Sequence, residues 1–337
     1  MTRKKIGVMG CGVVADYGHL PAIKEVEGLE LAALFDPDET RLRAIQAKFA
    51  VPQAFTDSGQ FFTSGIDAVA VASPAGVHLQ NVLDAARHGK HVLCEKPLAL
   101  NEADSQQMID AMRNAGLMLF TAFVYRFSPS ALEIKRLIRD GAIGKARSLR
   151  LIYIWNCHGK FEADPAGKRI IQKRREDRML EGGPMIDCGV HQIDLARWWL
   201  ESEVVRQHAH AAWVDDYKAP DHMYLHLDHA NGAHTTVEIS YSFSHTAAEP
   251  LSRFTYEIIG TDGVILYDRE EQRFELRNSA GTRPLAWHDE KNFEGMYSAF
   301  ARALETGKPG ELPTGEDGLI ALRIARAATE QAIADRR

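Results

Sequence analysis

Cysteine is scarce and scattered: Cys11, Cys94, Cys157 and Cys188 are the whole supply, and no two form a Cys-x-x-Cys pair. That spacing argues against a zinc knuckle and against a disulfide framework. Reduced, mostly buried thiols are expected, as in a cytoplasmic protein. Long hydrophobic runs are missing as well, none approaching the roughly 20 residues of a membrane-spanning helix. The basic start MTRKK leads into an apolar stretch interrupted by Gly7, Gly10, Gly12 and Asp16, which is not the continuous apolar segment of a signal peptide. Nor is there a surplus of positive charge. Lys+Arg number 40 against 46 Asp+Glu, for a formal net charge of -6, which leaves no electrostatic footprint for nucleic acid or an anionic membrane surface. Repeats and low-complexity tracts are absent too, and a small-molecule partner is the expectation that survives.

What is present is an ordinary globular composition, 45% hydrophobic and 26% charged over 337 residues. That length exceeds what one core usually serves, so two domains are expected. The first 120 residues or so alternate apolar runs with helix-like segments. KIGVM reads as a strand, Val13 to Val26 as a helix with a restart at Pro21, and LELAALF as a second strand. A helix from Pro37 to Phe49, a strand over 67–72, a helix from Gly76 to His88, the strand HVLC, a helix capped by Asn101 and the run LMLFTAF follow. Strands alternating with helices imply a parallel sheet covered on both faces. After Tyr125 the pattern changes. A helix (Ser128 to Asp140) and a long strand, ARSLRLIYIW, precede an irregular polar stretch over 156–181. A helix from Pro184 to about Leu200 leads into strands near 204–213, 221–228, 233–242, 252–259 and 263–268, with a hairpin signal at Ala230-Asn231-Gly232. Two amphipathic helices, Phe293 to Leu304 and Glu316 to Ala332, close the chain. The expected fold class is α/β, with a dinucleotide-binding domain over 1–122 and a second α/β domain over 123–337 built on a large, mainly antiparallel open sheet. Its C-terminal helices are candidates to pack back toward the first domain.

Gly10-Cys11-Gly12-Val13-Val14-Ala15 is a G-x-G-x-x-A pattern at a strand-to-helix junction. Glycines there permit a tight turn and let backbone amides approach a pyrophosphate, which the helix N-terminus stabilises. A merely tight turn would use them equally. Asp36 ends the next strand, where a carboxylate accepts the ribose hydroxyls and repels a 2'-phosphate, favouring NAD over NADP. The same residue would also serve as a cap for the helix after it, and Arg41 is the nearby cation that could admit a phosphate. Ser73-Pro74 and Glu95-Lys96-Pro97 follow two later strands, at the carboxyl ends where such sheets bind ligands. Lys96 there can donate to a substrate oxygen. In GGPMIDCGVHQIDLARWW, helical spacing puts Asp187, His191 and Asp194 on one face. His191, with an ordinary pKa near ~6.5, suits a general base for an alcohol proton. The alternative is a core histidine satisfied by a carboxylate. No further ligand is placed by spacing, so no metal is expected.

With these residues assembled, the sequence resembles the Gfo/Idh/MocA oxidoreductases (glucose–fructose oxidoreductase, inositol dehydrogenase, rhizopine catabolism). The resemblance rests on GCGVVA, SPAGVHLQNVLDAARHGKHVLCEKPLAL, YRFSPSALEIKRLIRDGAIGKARSL, GGPMIDCGVHQIDLARWW and EIIGTDGVI, and covers almost the whole chain. It implies a Rossmann domain and a second domain whose open sheet often forms subunit contacts, hence a homodimer or homotetramer. It also implies hydride transfer between a nicotinamide cofactor and a secondary alcohol or carbonyl of a sugar, cyclitol or related polyol. By motif, Lys96 matches the lysine that hydrogen-bonds the reacting oxygen, His191 the acid or base, and Asp187 its neighbouring substrate carboxylate. Gly10, Gly12 and Asp36 match the cofactor loop and ribose ligand, Cys11, Val13 and Val14 completing that loop. Ser73, Pro74, His78 and Glu95 line the same cleft, and Arg126 in YRF borders substrate.

The stretch GKRIIQKRREDRMLEGG departs from the family's minimal pattern in carrying Lys168, Arg169, Lys173, Arg174, Arg175 and Arg178. Clamping of an anionic group by Arg174 and Arg175 is one reading; a solvated or subunit-contact loop is the plainer one. Asn156, His158 and His245 are strand-end candidates for sugar hydroxyls. His222, His226, His229 and His234 gather around one hairpin, which an exposed or intersubunit sheet face explains better than a metal. Two other functions fit the same motifs. One is a closed redox cycle in which transient oxidation permits elimination or glycoside cleavage. The other is a nicotinamide-binding sensor without catalysis, against which the presence of both Lys96 and His191 argues.

Overall fold

The computed structural model describes residues 3–155, 160–164 and 166–336. The chain forms two units, residues 1–127 with 291–322, and residues 128–290 with 323–337.

In the first unit, apolar runs become strands buried on both faces, apart from one half-buried edge strand. They are β1 (Lys4–Met9), β2 (Leu29–Phe35), β3 (Gln53–Phe55), β4 (Ala68–Val71), β5 (His91–Cys94) and β6 (Leu119–Thr121). Every neighbouring pair is parallel, in the order β3-β2-β1-β4-β5-β6. The order reverses between β1 and β4, and such a reversal opens a crevice at the carboxyl ends of the strands. The crossovers are helical. A wide π-turn, Ala15–His19, runs into α1 (Leu20–Glu25); then come α2 (Glu39–Phe49), α3 (Ser58–Phe62), α4 (His78–Arg87) and α5 (Glu102–Asn114). Asn101 caps α5 by accepting from Asp104 N at 2.9 Å. The cap of α2 is Asp38, which accepts from Arg41 N at 3.0 Å; the helix begins two residues later than the Pro37 start suggests, and Asp36 is left out of capping. Met9, Val69, Val71, Val92 and Cys94 pack with Val82, Met108 and Met112 of the helices, each fully buried valine contributing roughly 1.5–3 kcal/mol relative to exposure.

In the second unit α6 (Pro129–Arg139) precedes the central strand β7 (Ala146–Ile154). The stretch expected to be irregular carries a short hairpin, β8 (Phe161–Ala163) with β9 (Arg169–Ile171), and then α7 (Lys173–Glu181). Polarity hid α7 from a reading based on apolar periodicity: only Arg175 and Met179 of it are buried. A second π-turn, Met185–Gly189, leads into α8 (Val190–Leu200). The strands β10 (Val204–Ala212), β11 (His222–His229), β12 (His234–Ser240), β13 (Arg253–Gly260), β14 (Gly263–Asp268), β15 (Arg273–Asn278) and β16 (Gly281–Pro284) then complete a sheet of order β10-β11-β12-β7-β13-β14-β15-β16. Only β12 and β7 pair in parallel; the other neighbours are antiparallel. Two helices end the chain, α9 (Phe293–Thr306) in the first unit and α10 (Gly315–Ala334), which begins there and ends in the second.

Candidate functional site

The turn after β1 is fixed by a close approach. Gly10 has φ +98°, and a Cβ on it would sit 2.7 Å from Ser73 N. Only glycine fits there. A Cβ on Gly12 would meet nothing within 4 Å, so the loop presents open backbone at the start of the π-turn, with Val13 exposed and Val14 half-buried. Asp36 braces the same loop. It is buried, accepting from Cys11 N at 2.8 Å and from Asp38 N at 2.9 Å. Arg41 spends its guanidinium on Asp36 (3.4 Å) and Asp38 (3.0 Å). Burial first and the Asp36 charge second push the Cys11 thiol up to about 12, so this cysteine contributes its amide and an inert thiol.

His78 lies between the ends of β4 and β5. Its Nε2 lies 2.8 Å from Ser73 O, and its Nδ1 lies 3.1 Å from Pro97 O and 3.2 Å from Leu98 O. Burial lowers its pKa, and the neutral ring donates from one nitrogen at a time, either to Ser73 O or to the Pro97 and Leu98 carbonyls. Ser73 Oγ accepts from Asn81 at 2.8 Å, and Pro74 is exposed. Glu95 is buried and Lys96 half-buried beside it, the amide of Lys96 donating to Glu95 Oε2 at 3.1 Å. Arg126, in the turn Val124–Phe127, is 7% exposed with its guanidinium 3.4 Å from Asp317.

On the second unit, Asp187 lies in the π-turn and His191 in the first turn of α8; they are 6% and 4% exposed. Ten of the eleven residues of α8 are buried, so burial alone does not single these two out. Chemistry does. Tyr241 donates its hydroxyl to Asp187 Oδ2, Arg178 Nε lies 3.8 Å from the same oxygen, and Cys188 Sγ is 3.6 Å from it. Burial first and Asp187 second push the Tyr241 phenol well above its ordinary range, so it remains a donor. Burial opposes the charge on Arg178, but Asp187 and Glu181 outweigh it and raise its pKa.

Arg175 of the basic stretch cannot clamp a substrate. It is fully buried and bonds Tyr241 O at 2.7 Å, Ser242 Oγ at 2.7 Å and Asp215 Oδ2 at 3.1 Å. His245 belongs to the same knot, with Nδ1 2.8 Å from Ser242 O and Nε2 3.0 Å from Asp215. Arg174 is exposed, and Lys173 pairs with Asp177 at 2.7 Å. The candidates Asn156 and His158 lie outside the described residues. The hairpin histidines divide across the sheet: His229 is buried against Ser202 O and Thr235 Oγ1, while His226 and His234 share the other face with His208 and His210. Four residues the motifs did not reveal matter here. They are Arg178 and Tyr241 at Asp187, His19, which bonds Glu95, and Tyr297, which bonds His19. Arg178 shows in the sequence only as one charge of the basic stretch, and the other three have no local signal, since their partners are distant in sequence.

A parallel six-stranded sheet with a glycine loop after β1 and a buried carboxylate after β2 defines a dinucleotide-binding fold. The oxidoreductase family with an NAD-binding Rossmann fold matches residues 4–123, and the GFO/IDH/MocA C-terminal domain matches residues 131–266. The chain belongs to the Gfo/Idh/MocA oxidoreductase family. It is 33% identical to inositol 2-dehydrogenase 2 of Saccharopolyspora erythraea over 96% of this chain and 91% of that one. It is 31% identical to D-apiose dehydrogenase of Paraburkholderia graminis over 85% and 74% of the two chains. An Agrobacterium radiobacter oxidoreductase, solved with NAD+, L-tartaric acid and magnesium, superposes with a TM-score of 0.84 at 25% identity, covering 99% of this chain and 98% of its own.

Proposed function

We propose that the protein is an NAD-dependent dehydrogenase or reductase acting on a secondary alcohol or ketone of a sugar, cyclitol or close derivative. The observation that carries this is the Glu95-Lys96-Pro97 turn at the carboxyl end of β5 in an NAD-binding Rossmann sheet. Gly10, Cys11, Gly12, Val13 and Val14 offer loop amides to the pyrophosphate; Asp36 accepts from the ribose, and its pairing with Arg41 supports NAD over NADP. Ser73, Pro74, His78 and Glu95 shape the nicotinamide end. Bound NAD supplies the hydride acceptor. In the oxidative direction His191 takes the hydroxyl proton as general base, Asp187 orients substrate or imidazole, and Lys96 stabilises charge developing on the oxygen. The inositol and apiose dehydrogenases among its relatives support the substrate class.

The test is near-ultraviolet absorbance of protein given NAD or NADP with cyclitols, aldoses, anhydro sugars, glycosides and uronates. Reduced cofactor with one substrate class is expected, and NAD should outperform NADP. Lys96→Met and His191→Asn should each lower kcat about 10²–10⁴-fold while leaving NAD affinity nearly intact. Equal effects on turnover and cofactor binding would refute the roles. A silent panel, with cofactor recovered from the denatured protein, would point to closed-cycle chemistry instead. We also infer a cytoplasmic homodimer or homotetramer joined through the open face of the eight-stranded sheet. The buried free thiols Cys11, Cys94 and Cys188 and the apolar cross-strand pair Ile259 and Val264 support this. Light scattering after size exclusion would expose a monomer.

A further inference from the structure

Three buried polar side chains in the first unit form a chain that the loop and strand-end motifs do not require. His19 closes the π-turn before α1, Glu95 follows β5, and Tyr297 comes from α9. His19 and Tyr297 are 0% exposed and Glu95 is 7% exposed. Tyr297 Oη lies 2.6 Å from His19 Nδ1, His19 Nε2 lies 3.0 Å from Glu95 Oε1, and Lys96 N donates to Glu95 Oε2 at 3.1 Å. One proton arrangement satisfies every contact with a neutral ring. Tyr297 donates to Nδ1, Nε2–H donates to Glu95, and the carboxylate accepts at both oxygens. Phe293 walls the imidazole at 5.3 Å between ring centroids, and a Cβ on Gly18 would collide with that phenyl ring at 2.5 Å. The ring of His19 is therefore held in place by α9 as well as by its hydrogen bonds. Burial, the largest influence, raises the Glu95 pKa, but the hydrogen bond from His19 and the charge and amide of Lys96 oppose it, and the carboxyl titrates below its ordinary value.

A carboxylate is costly to bury, and a carbonyl or amide would hold the Lys96 backbone as well; its charge calls for a use. Oxidised nicotinamide carries a positive ring and reduced nicotinamide a neutral one. A fixed negative charge at the strand end that receives the nicotinamide favours the oxidised form and offsets the neighbouring Lys96 ammonium. We propose that the Tyr297–His19–Glu95 chain fixes this charge and biases cofactor binding toward NAD+ over NADH, with His19 and Tyr297 as positioning residues. The proposal rests on the NAD-binding reading of the same site.

The test is calorimetric titration of the full-length protein with NAD+, NADH and ADP-ribose, which lacks the nicotinamide. If wild-type protein binds none of the three, the NAD reading itself fails. If it binds them, Glu95→Gln should raise the Kd ratio of NAD+ to NADH about tenfold with ADP-ribose affinity unchanged. Tyr297→Phe and His19→Ala should move the ratio the same way by less, and His19→Gln, whose amide can still donate to Glu95, should recover much of it. An unchanged ratio in Glu95→Gln overturns the proposal. Equal weakening of all three ligands overturns it too, because that is loss of structural support rather than charge discrimination. Should His19→Ala fail to fold, Tyr297→Phe, which removes one oxygen from a buried ring, decides whether the far end of the chain acts on the ratio.

Discussion

Asp36 shows how one side chain can brace a loop and still offer an acceptor to a ligand. Its two oxygens hold the amides of Cys11 and Asp38 and the Arg41 guanidinium, which leaves one lone-pair site on Oδ1 for a ribose hydroxyl. Asp36→Ala should raise the Kd for NAD about tenfold or more and narrow the preference over NADP, as read from titrations with both cofactors; an unchanged NAD/NADP ratio would remove Asp36 from cofactor selection. Asp187 depends in the same way on a neighbour. Tyr241 donates to it from just beyond β12, and hydrogen bonds to charged groups contribute about 1.5–3 kcal/mol. Tyr241→Phe should therefore lower kcat/KM about 10–100-fold with NAD affinity unchanged. Steady-state kinetics beside a cofactor titration would separate this from general loss of structure.

At the scale of elements, the two glycines of the loop after β1 have opposite physical reasons. Gly10 is required by the fold, since its positive φ and the backbone of Ala72 and Ser73 exclude a side chain. Gly12 has open space where a Cβ would stand, so it is required only if something approaches. Gly10→Ala should destabilise by about 2–4 kcal/mol in urea unfolding. Gly12→Ala should leave the urea midpoint nearly unchanged while weakening NAD, and equal NAD affinity would show that nothing closely approaches Gly12. The helix α7 carries a similar contrast between neighbours. Arg175 anchors it in a buried knot with Asp215, Ser242 and Tyr241 O, whereas Arg174 points to solvent. Removing one partner of a buried ion pair costs about 3–5 kcal/mol. Arg175→Met should show that loss in chemical denaturation and Arg174→Ala almost none; turnover collapsing in Arg174→Ala would revive an anion-binding role for the basic stretch.

For the whole molecule, burial sets the response to acid. His78 and His91 in the first unit and His222 and His229 in the second all have pKa values lowered from 6.5, burial being the largest cause of each. Above about pH 6.5 these rings are neutral folded or unfolded and have no effect on the balance. Below it the unfolded chain takes up protons that the folded chain refuses, so the unfolded state gains. Stability is thus complete above pH 6.5 and declines as pH falls through that value, well before carboxylates titrate. Thermal midpoints at pH 7.5, 6.5 and 5.5 should fall mainly over the last interval, and a flat profile would show that the folded protein accommodates the imidazolium forms.

Much of this was legible in the chain itself, because its signals are local. Apolar strands alternating with helices announced the parallel sheet, Gly10 and Gly12 marked the loop, and Asn101 its cap, since each acts on residues a few positions away. Asp187 and His191 stood out as polar groups in an apolar segment for the same reason. Tertiary structure alone decided which polar groups meet across long separations. Asp38 rather than Asp36 caps α2, Arg175 and His245 are consumed in an internal knot, and α7 forms in a stretch too polar to show helical periodicity. Tyr297 reaches His19, and through it Glu95, from the far end of the chain. Periodicity reports which side of an element is apolar; it carries no record of the distant partner that completes a hydrogen bond, and in this protein those partners determine which charges are buried and held.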